Sequence, residues 1–164
     1  MTLPDVWLRG PVPDIDPLLQ PVAHSLLQAM EDVERATADL PDESLWRKPG
    51  KAASIGFHLK HLAGSTDRIL TYARGESLSD EQRARLTAEP HDDPAVTVRL
   101  LVERIRKVID AGLEQLKATP AATLTEPRAI GRSQLPSTVL GCLVHAGEHA
   151  YRHAGQVITT ARLL

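Results

Sequence analysis

VLGCLVHAGEHAYRHAGQVI, residues 139–158, is the stretch on which the reading of this chain turns. Val139, Leu140, Leu143, Val144, Val157 and Ile158 share one side when the segment is wound as a helix. His145, His149 and His153 repeat every four residues, and at about 100° per residue they advance by only about 40° a step along one side of that helix. Measured from His145, the apolar stripe spans about 100° to 260°, so His153 at about 80° lies on its edge, His149 lies near it and His145 points further toward solvent. A helix with one apolar side must bury that side against other elements.

Working outward, three more long segments carry the same period. Leu18 to Leu40 places Leu19, Val22, Leu26, Leu27, Met30 and Val33 on one face and stops at Pro41-Asp42, before a loop at Trp46 to Lys51 built around Pro49-Gly50. Ser54 is placed to cap a second helix with the stripe Ile55, Leu59, Leu62, Ile69 and Leu70, ended by Gly75 at its C′ position. Ser79, followed by Asp80, Glu81 and Gln82, predicts a short helix to Ala88 inside a long connection. Asp93 and Pro94 read as the cap and first residue of the third long helix, which runs through Val98, Leu101, Val102, Ile105, Val108, Ile109, Leu113 and Leu116 to Thr119-Pro120. Residues 120–135 show no sustained period, and Pro136 is read as the start of the last helix. With no convincing strand, the expectation is an all-α, antiparallel four-helix bundle with long crossover connections and a short extra helix. About 18 residues between the second and third long helices are enough to cross such a bundle. One domain over residues 1–164 is expected, with residues 1–14 an extended lead containing Pro4, Pro11 and Pro13.

Composition agrees and excludes several classes. Apolar residues at 42% and charged residues at 24% are those of a globular chain, and 164 residues can bury a continuous core unaided. Aromatic residues are only 3%, so Leu, Val, Ile and Ala must fill the core, a habit of helix-on-helix packing. A formal net charge of -2 gives no footprint for a nucleic acid or an anionic membrane. The lead lacks the basic start and apolar run of a signal peptide, and no stretch approaches the roughly 20 apolar residues that span a bilayer. A single cysteine, Cys142, leaves no disulfide and suits a reducing cytoplasm.

Histidine is the anomaly. Of seven, five fall in two clusters: His58 and His61 on the second helix, and the three on the last. One HxxxH pair on a helix is ordinarily solvated or incidentally packed, but histidines clustered on two helices that can face each other point to a metal. Two imidazoles one turn apart can share an ion at the zinc–nitrogen distance of about 2.0–2.1 Å. The third ligand then comes from the second helix, through His61 or His58. Three protein ligands leave a coordination position for an outside molecule, which is the arrangement of a catalytic site. Neutral imidazoles accept zinc, nickel, copper or iron.

Ser54-Ile55-Gly56-Phe57-His58-Leu59-Lys60-His61-Leu62-Ala63, preceded by Trp46 and Pro49-Gly50, together with His149-Ala150-Tyr151-Arg152-His153-Ala154-Gly155-Gln156-Val157, resembles the DinB/YfiT-like superfamily of damage-inducible bundle proteins. The resemblance runs from the first helix onward, and its most specific part is the final H-x-x-x-H-x-G-Q. It implies a metal held by His61, His149 and His153. A helical wheel instead puts His58 nearer the apolar stripe than His61, by about 60°; the motif is preferred because a wheel ignores how the helix is rotated in its bundle. The resemblance further implies a metal-dependent thiol S-transferase, with zinc or nickel as the divalent ion and a low-molecular-weight thiol as co-substrate. A divalent ion stabilises a thiolate near neutral pH much as it lowers the pKa of bound water to about 7.

Glu148 and Arg152 are the candidate catalytic side chains beside the motif: Glu148 as a proton acceptor, Arg152, with Gln156, as a contact for a substrate carboxylate. His145-Ala-Gly-Glu148-His149 matches an inverted zinc-peptidase signature by letters, although Glu148 reads better as a surface group or one supporting a ligand. Cys142 reads as a buried structural thiol, His24 as packed or hydrogen-bonded, His91 as a loop residue, and Trp46 as either a pocket wall or a plug for the bundle end. The alternatives to thiol transfer are hydrolysis by metal-bound hydroxide and a non-catalytic, metal-binding stress protein. The expected partner is a small-molecule substrate, with homodimerisation open.

Overall fold

The computed structural model describes residues 3–164. Among these residues five α-helices form: α1 Gln20–Thr37, α2 Ile55–Ala73, the short α3 Asp80–Ala88, α4 Val98–Ala118 and α5 Val139–Leu163. The lead makes one 3-10 turn at Val6–Leu8 and is tied to α1 by Gln28 and Gln20, whose side chains accept from Val6 and Val12 N–H. Its residues 1 and 2 lie outside the described residues. No described helix is long and apolar enough to cross a membrane.

The four long helices make the bundle, and their contacts set its topology. Arg74, at the end of α2, reaches Gln115 near the end of α4, so these two run parallel. Arg106, early in α4, meets Glu34, late in α1, so that pair is antiparallel. Gly147 in α5 rests on Val22 and Ser25 of α1, where its missing Cβ lets the two helices approach closely. The order is therefore up, down, down, up, with α5 seated between α1 and α2. Because α2 and α4 point the same way, the connection between them must return along the bundle. α3 lies in that return, with its N-terminus held by a capping box of Ser79 and Gln82.

Most of the expected stripes are the core, while Val144 of α5 is exposed. Leu19, Val22, Leu26, Met30 and Val33 of the first helical stretch, Ile55, Leu59, Leu62 and Leu70 of α2, Leu101, Ile105, Ile109 and Leu116 of α4, and Val139, Leu143 and Val157 of α5 are all buried. Gly75 has φ 77°, and Glu76 N–H returns to the Thr71 carbonyl, as a glycine-terminated helix requires.

Three expectations fail. α4 begins at Val98, not at Asp93-Pro94: Asp93 turns back to accept Ala95 N–H, and Thr97 is the cap, accepting from Leu100. α5 begins at Val139 under a Thr138 cap, not at Pro136. Pro136 lies instead in a two-stranded hairpin, β1 Pro127–Ile130 against β2 Leu135–Thr138, where no strand was expected. A hairpin of two edge strands tolerates a proline in each, since neither needs both of its hydrogen-bonding sides.

Candidate metal centre

α2 and α5 meet as antiparallel neighbours, and this brings the two histidine clusters face to face. Ser54 caps α2 by accepting Phe57 N–H at 3.2 Å, which puts His58 and His61 in its first two turns. On α5, His149 and His153 stand one turn apart beside buried Ala146, Ala150 and Ala154, whose small side chains let the helices come close.

One ring nitrogen from each of His61, His149 and His153 lies within 4.8 Å of the others. His61 Nε2 is 3.1 Å from His149 Nε2, and the His153 ring centroid is 4.6 Å from each of the other two. No fourth His, Cys, Asp or Glu joins this group among the described residues. His153 is buried, while His61 and His149 are half-buried and leave one side of the cluster toward solvent. A separate concavity of about 910 Å³ lies at the other end of α2, between Tyr72, Leu86 and Arg128, and none of the histidines lines it.

Burial, with the repulsion that a protonated ring would meet from the neighbouring histidines, His61 first, and from Arg152, lowers the His149 pKa to about 4 and that of His153 to about 3. Burial and then His61 lower His58 as well. His149 and His153 are thus neutral at pH 7, the state a metal needs from imidazole.

The fit to a divalent ion also rests on the far side of the rings. His61 Nδ1 is 2.8 Å from Glu89 Oε2. A neutral His61 donates there, so its Nε2 presents a lone pair toward His149, and a carboxylate behind a histidine is the usual partner of a metal-facing ring. His149 Nδ1 is buried without a partner. Three imidazole nitrogens converging on one point, with the His61 Nε2 lone pair directed inward, suit a shared cation.

Glu89 is itself built in. Arg68 donates to it from Nη1 at 2.5 Å and Nη2 at 3.3 Å, and both residues are buried. Burial pushes the Glu89 carboxyl up, but the hydrogen bonds from His61 and Arg68 outweigh it and hold the group below the usual carboxylate range. Gly64 lies under the pair, where a Cβ would overlap Glu89 Oε1. Lys60 Nζ donates to the carbonyls of Ala88 and His91 at 2.6 and 2.7 Å and so clamps the connection carrying Glu89 onto α2. Phe57 stacks flat on His61, with centroids 5.6 Å apart and 7° between planes.

His58 does not replace His61 in the cluster; its Nδ1 instead meets His153 Nδ1 at 3.2 Å. His58 is thus the more buried of the two rings on α2, while His61 is the one that lies beside His149 and His153. Glu148 and Arg152 are exposed and engaged with each other at 2.7 Å, and His145 Nδ1 reaches Glu148 at 2.7 Å. Slight burial raises the Glu148 carboxyl, yet these hydrogen bonds bring it below its ordinary pKa, which makes it a weaker base. Gln156 is exposed and Cys142 buried. His24 bonds the Gly10 carbonyl at 3.1 Å, and His91 is an exposed loop residue. Trp46 lies against Gly56 and under Lys60, so it covers the start of α2 rather than walling the histidines.

A family model described as the DinB superfamily matches residues 25–157. Among solved structures, a conserved protein from Enterococcus faecalis is 19% identical, with 88% of this chain and 95% of that one covered and a TM-score of 0.68. A DinB-like protein from Bacillus cereus is 20% identical over 86% and 89% of the two chains, with a TM-score of 0.64. A protein from Streptococcus pneumoniae is 11% identical over 90% and 89%, also with a TM-score of 0.64. At these identities the likeness is one of fold. No curated protein matches the sequence.

Proposed function

Since the chain belongs to the DinB superfamily, we propose that it is a metal-dependent enzyme joining a low-molecular-weight thiol to a small electrophile, with His61, His149 and His153 holding the ion. The observation that carries this reading is the convergence of three imidazole nitrogens from two helices, within 4.8 Å, with no fourth side chain closing the group among the described residues. A three-ligand site with an accessible edge is one that can admit a substrate. Zinc and nickel, both of which imidazole suits, are the ions to test first.

The chain's own residues have separable tasks in this reading. His149 and His153, kept neutral by burial, need lose no proton to bind at pH 7. Glu89 accepts the His61 Nδ1 proton and directs Nε2 inward. Phe57 fixes the plane of His61 from one side. Arg152 and Gln156, on the exposed flank of α5, are placed to take a substrate carboxylate once it competes with Glu148 for the guanidinium. When bound, a divalent ion would favour thiolate over thiol near neutral pH.

The test is turnover by zinc- or nickel-loaded protein with bacillithiol, mycothiol and glutathione, each offered several electrophiles. Thiol-dependent product that disappears in His149→Ala supports the reading. No turnover across the panel, or ester and amide cleavage that needs no thiol, overturns it.

A further inference from the structure

The motif does not account for His58. It is 6% exposed, its partner His153 is 7% exposed, and their Nδ1 atoms lie 3.2 Å apart. Two ring nitrogens 3.2 Å apart in a buried contact make a hydrogen bond only as one N–H donating to one lone pair. Two arrangements satisfy it. In the first, His153 carries its proton on Nδ1, donates it to His58 Nδ1, and leaves a lone pair on Nε2. In the second, His58 donates, and His153 then carries a proton on Nε2, where it faces the nitrogens of His61 and His149.

Only the first arrangement lets His153 act with the other two rings. His153 Nδ1 is engaged by His58, so Nε2 is the atom left for the cluster. We infer that His58 is a positioning residue whose Nδ1 accepts the His153 Nδ1 proton and so holds His153 in the tautomer with Nε2 free to bind an ion. The inference rests on the metal reading above and adds a residue to it. His61 and His153 are then each fixed from behind, His61 by a carboxylate and His153 by a neutral imidazole. His149, whose Nδ1 is buried without a partner, is the ring held least. A neutral acceptor leaves its ligand less basic than a carboxylate does, so the three donors are graded rather than equivalent.

The experiment is zinc affinity, by chelator competition, for the full chain and for His58→Leu, His58→Asn and His149→Ala. Leucine fills the site and accepts nothing, whereas the asparagine amide oxygen, like Nδ1, is two bonds from Cβ and can accept. His58→Leu should bind zinc 10–100-fold more weakly, and His58→Asn should recover most of the loss, which a role in packing alone would not produce. Nitrogen-15 spectra of the zinc-loaded wild type should show the His153 proton on Nδ1 with a hydrogen-bonded shift, lost in His58→Leu. Wild-type affinity in His58→Leu, asparagine no better than leucine, or an Nε2 proton on His153 in the loaded protein overturns the inference alone. Wild type binding zinc no more tightly than His149→Ala overturns the metal site and the inference with it.

Discussion

Replacing Glu89 by leucine should separate what that carboxylate does for the fold from what it does for the site. In the folded chain it accepts from Arg68 at 2.5 and 3.3 Å and from His61 at 2.8 Å, in a place where it is 5% exposed. Without it the Arg68 guanidinium, itself 7% exposed, is a buried charge with no counter-charge, which costs about 3–5 kcal/mol. That is a large part of the roughly 5–15 kcal/mol that holds a domain together. For a chain of this length it should lower Tm by about 6–20 °C. Removing Arg68 as well, in Glu89→Leu with Arg68→Met, leaves no stranded charge, and at least about 2 kcal/mol should return. Zinc affinity should behave differently, because both variants leave the His61 Nδ1 proton without its acceptor and both should bind 10–100-fold more weakly. Urea denaturation of the metal-free proteins and chelator competition read the two effects separately. A single variant costing less than about 1 kcal/mol, or a double variant whose metal affinity recovers with its stability, would refute the assignment.

Three further outcomes follow from the same region. Gly64→Ala puts a Cβ into Glu89 Oε1 and 2.8 Å from Arg68 Nη1; overpacking should outweigh the better helix propensity and cost about 1–2 kcal/mol, and the sign should reverse in a Glu89→Ala, Arg68→Met background. Lys60→Met removes both bonds to the Ala88 and His91 carbonyls, so amide exchange across residues 88–91 should quicken and stability fall by about 2–3 kcal/mol; unchanged exchange would mean that Lys60 is no clamp. In the metal-free protein, His149 at about 4 and His153 at about 3 lie below the unfolded value of about 6.5. The unfolded chain therefore binds more protons as pH drops below about 6.5, and stability should fall by at most about 1.4 kcal/mol per histidine per pH unit. Denaturation at pH 7.5 and pH 5 should reveal that slope, and the His149→Gln, His153→Gln double variant should lose most of it, with His58 keeping the remainder.

The bundle was legible because burial in it follows one rule. Each long helix presents a stripe to a common axis, so residues such as Leu26, Leu59, Ile105 and Leu143 declare themselves by spacing alone. The elements that escaped are those whose conformation depends on a partner elsewhere. β1 and β2 are four residues each, too short for alternation to register, and each contains a proline that argues against a strand until its neighbour is known. The false start at Asp93-Pro94 arose because aspartate caps a turn as readily as a helix. Thr97 is chosen instead where Val98 N–H can reach the Asp42 side chain, a contact spanning 56 residues that no local pattern encodes.

The site divides along the same line. His61, His149 and His153 sit on helices whose faces are fixed by periodicity, so spacing and motif together reach them. Glu89 sits just past the C-terminus of α3, a helix with no buried residues of its own, and nothing in its local sequence separates it from the exposed acids around it. What buries Glu89 is the reach of Arg68, Lys60 and His61 from α2, three polar side chains on a helix whose other positions are largely core. In a bundle in which α2 and α4 run parallel, the chain between them has to travel back past the start of α2, where His61 stands. The crossover is thus the segment of chain obliged to pass the histidines, and a single carboxylate on it, neutralised by Arg68, is enough to orient a ring from outside the bundle. Topology supplies that partner, which is why periodicity finds the three rings and misses the group behind one of them.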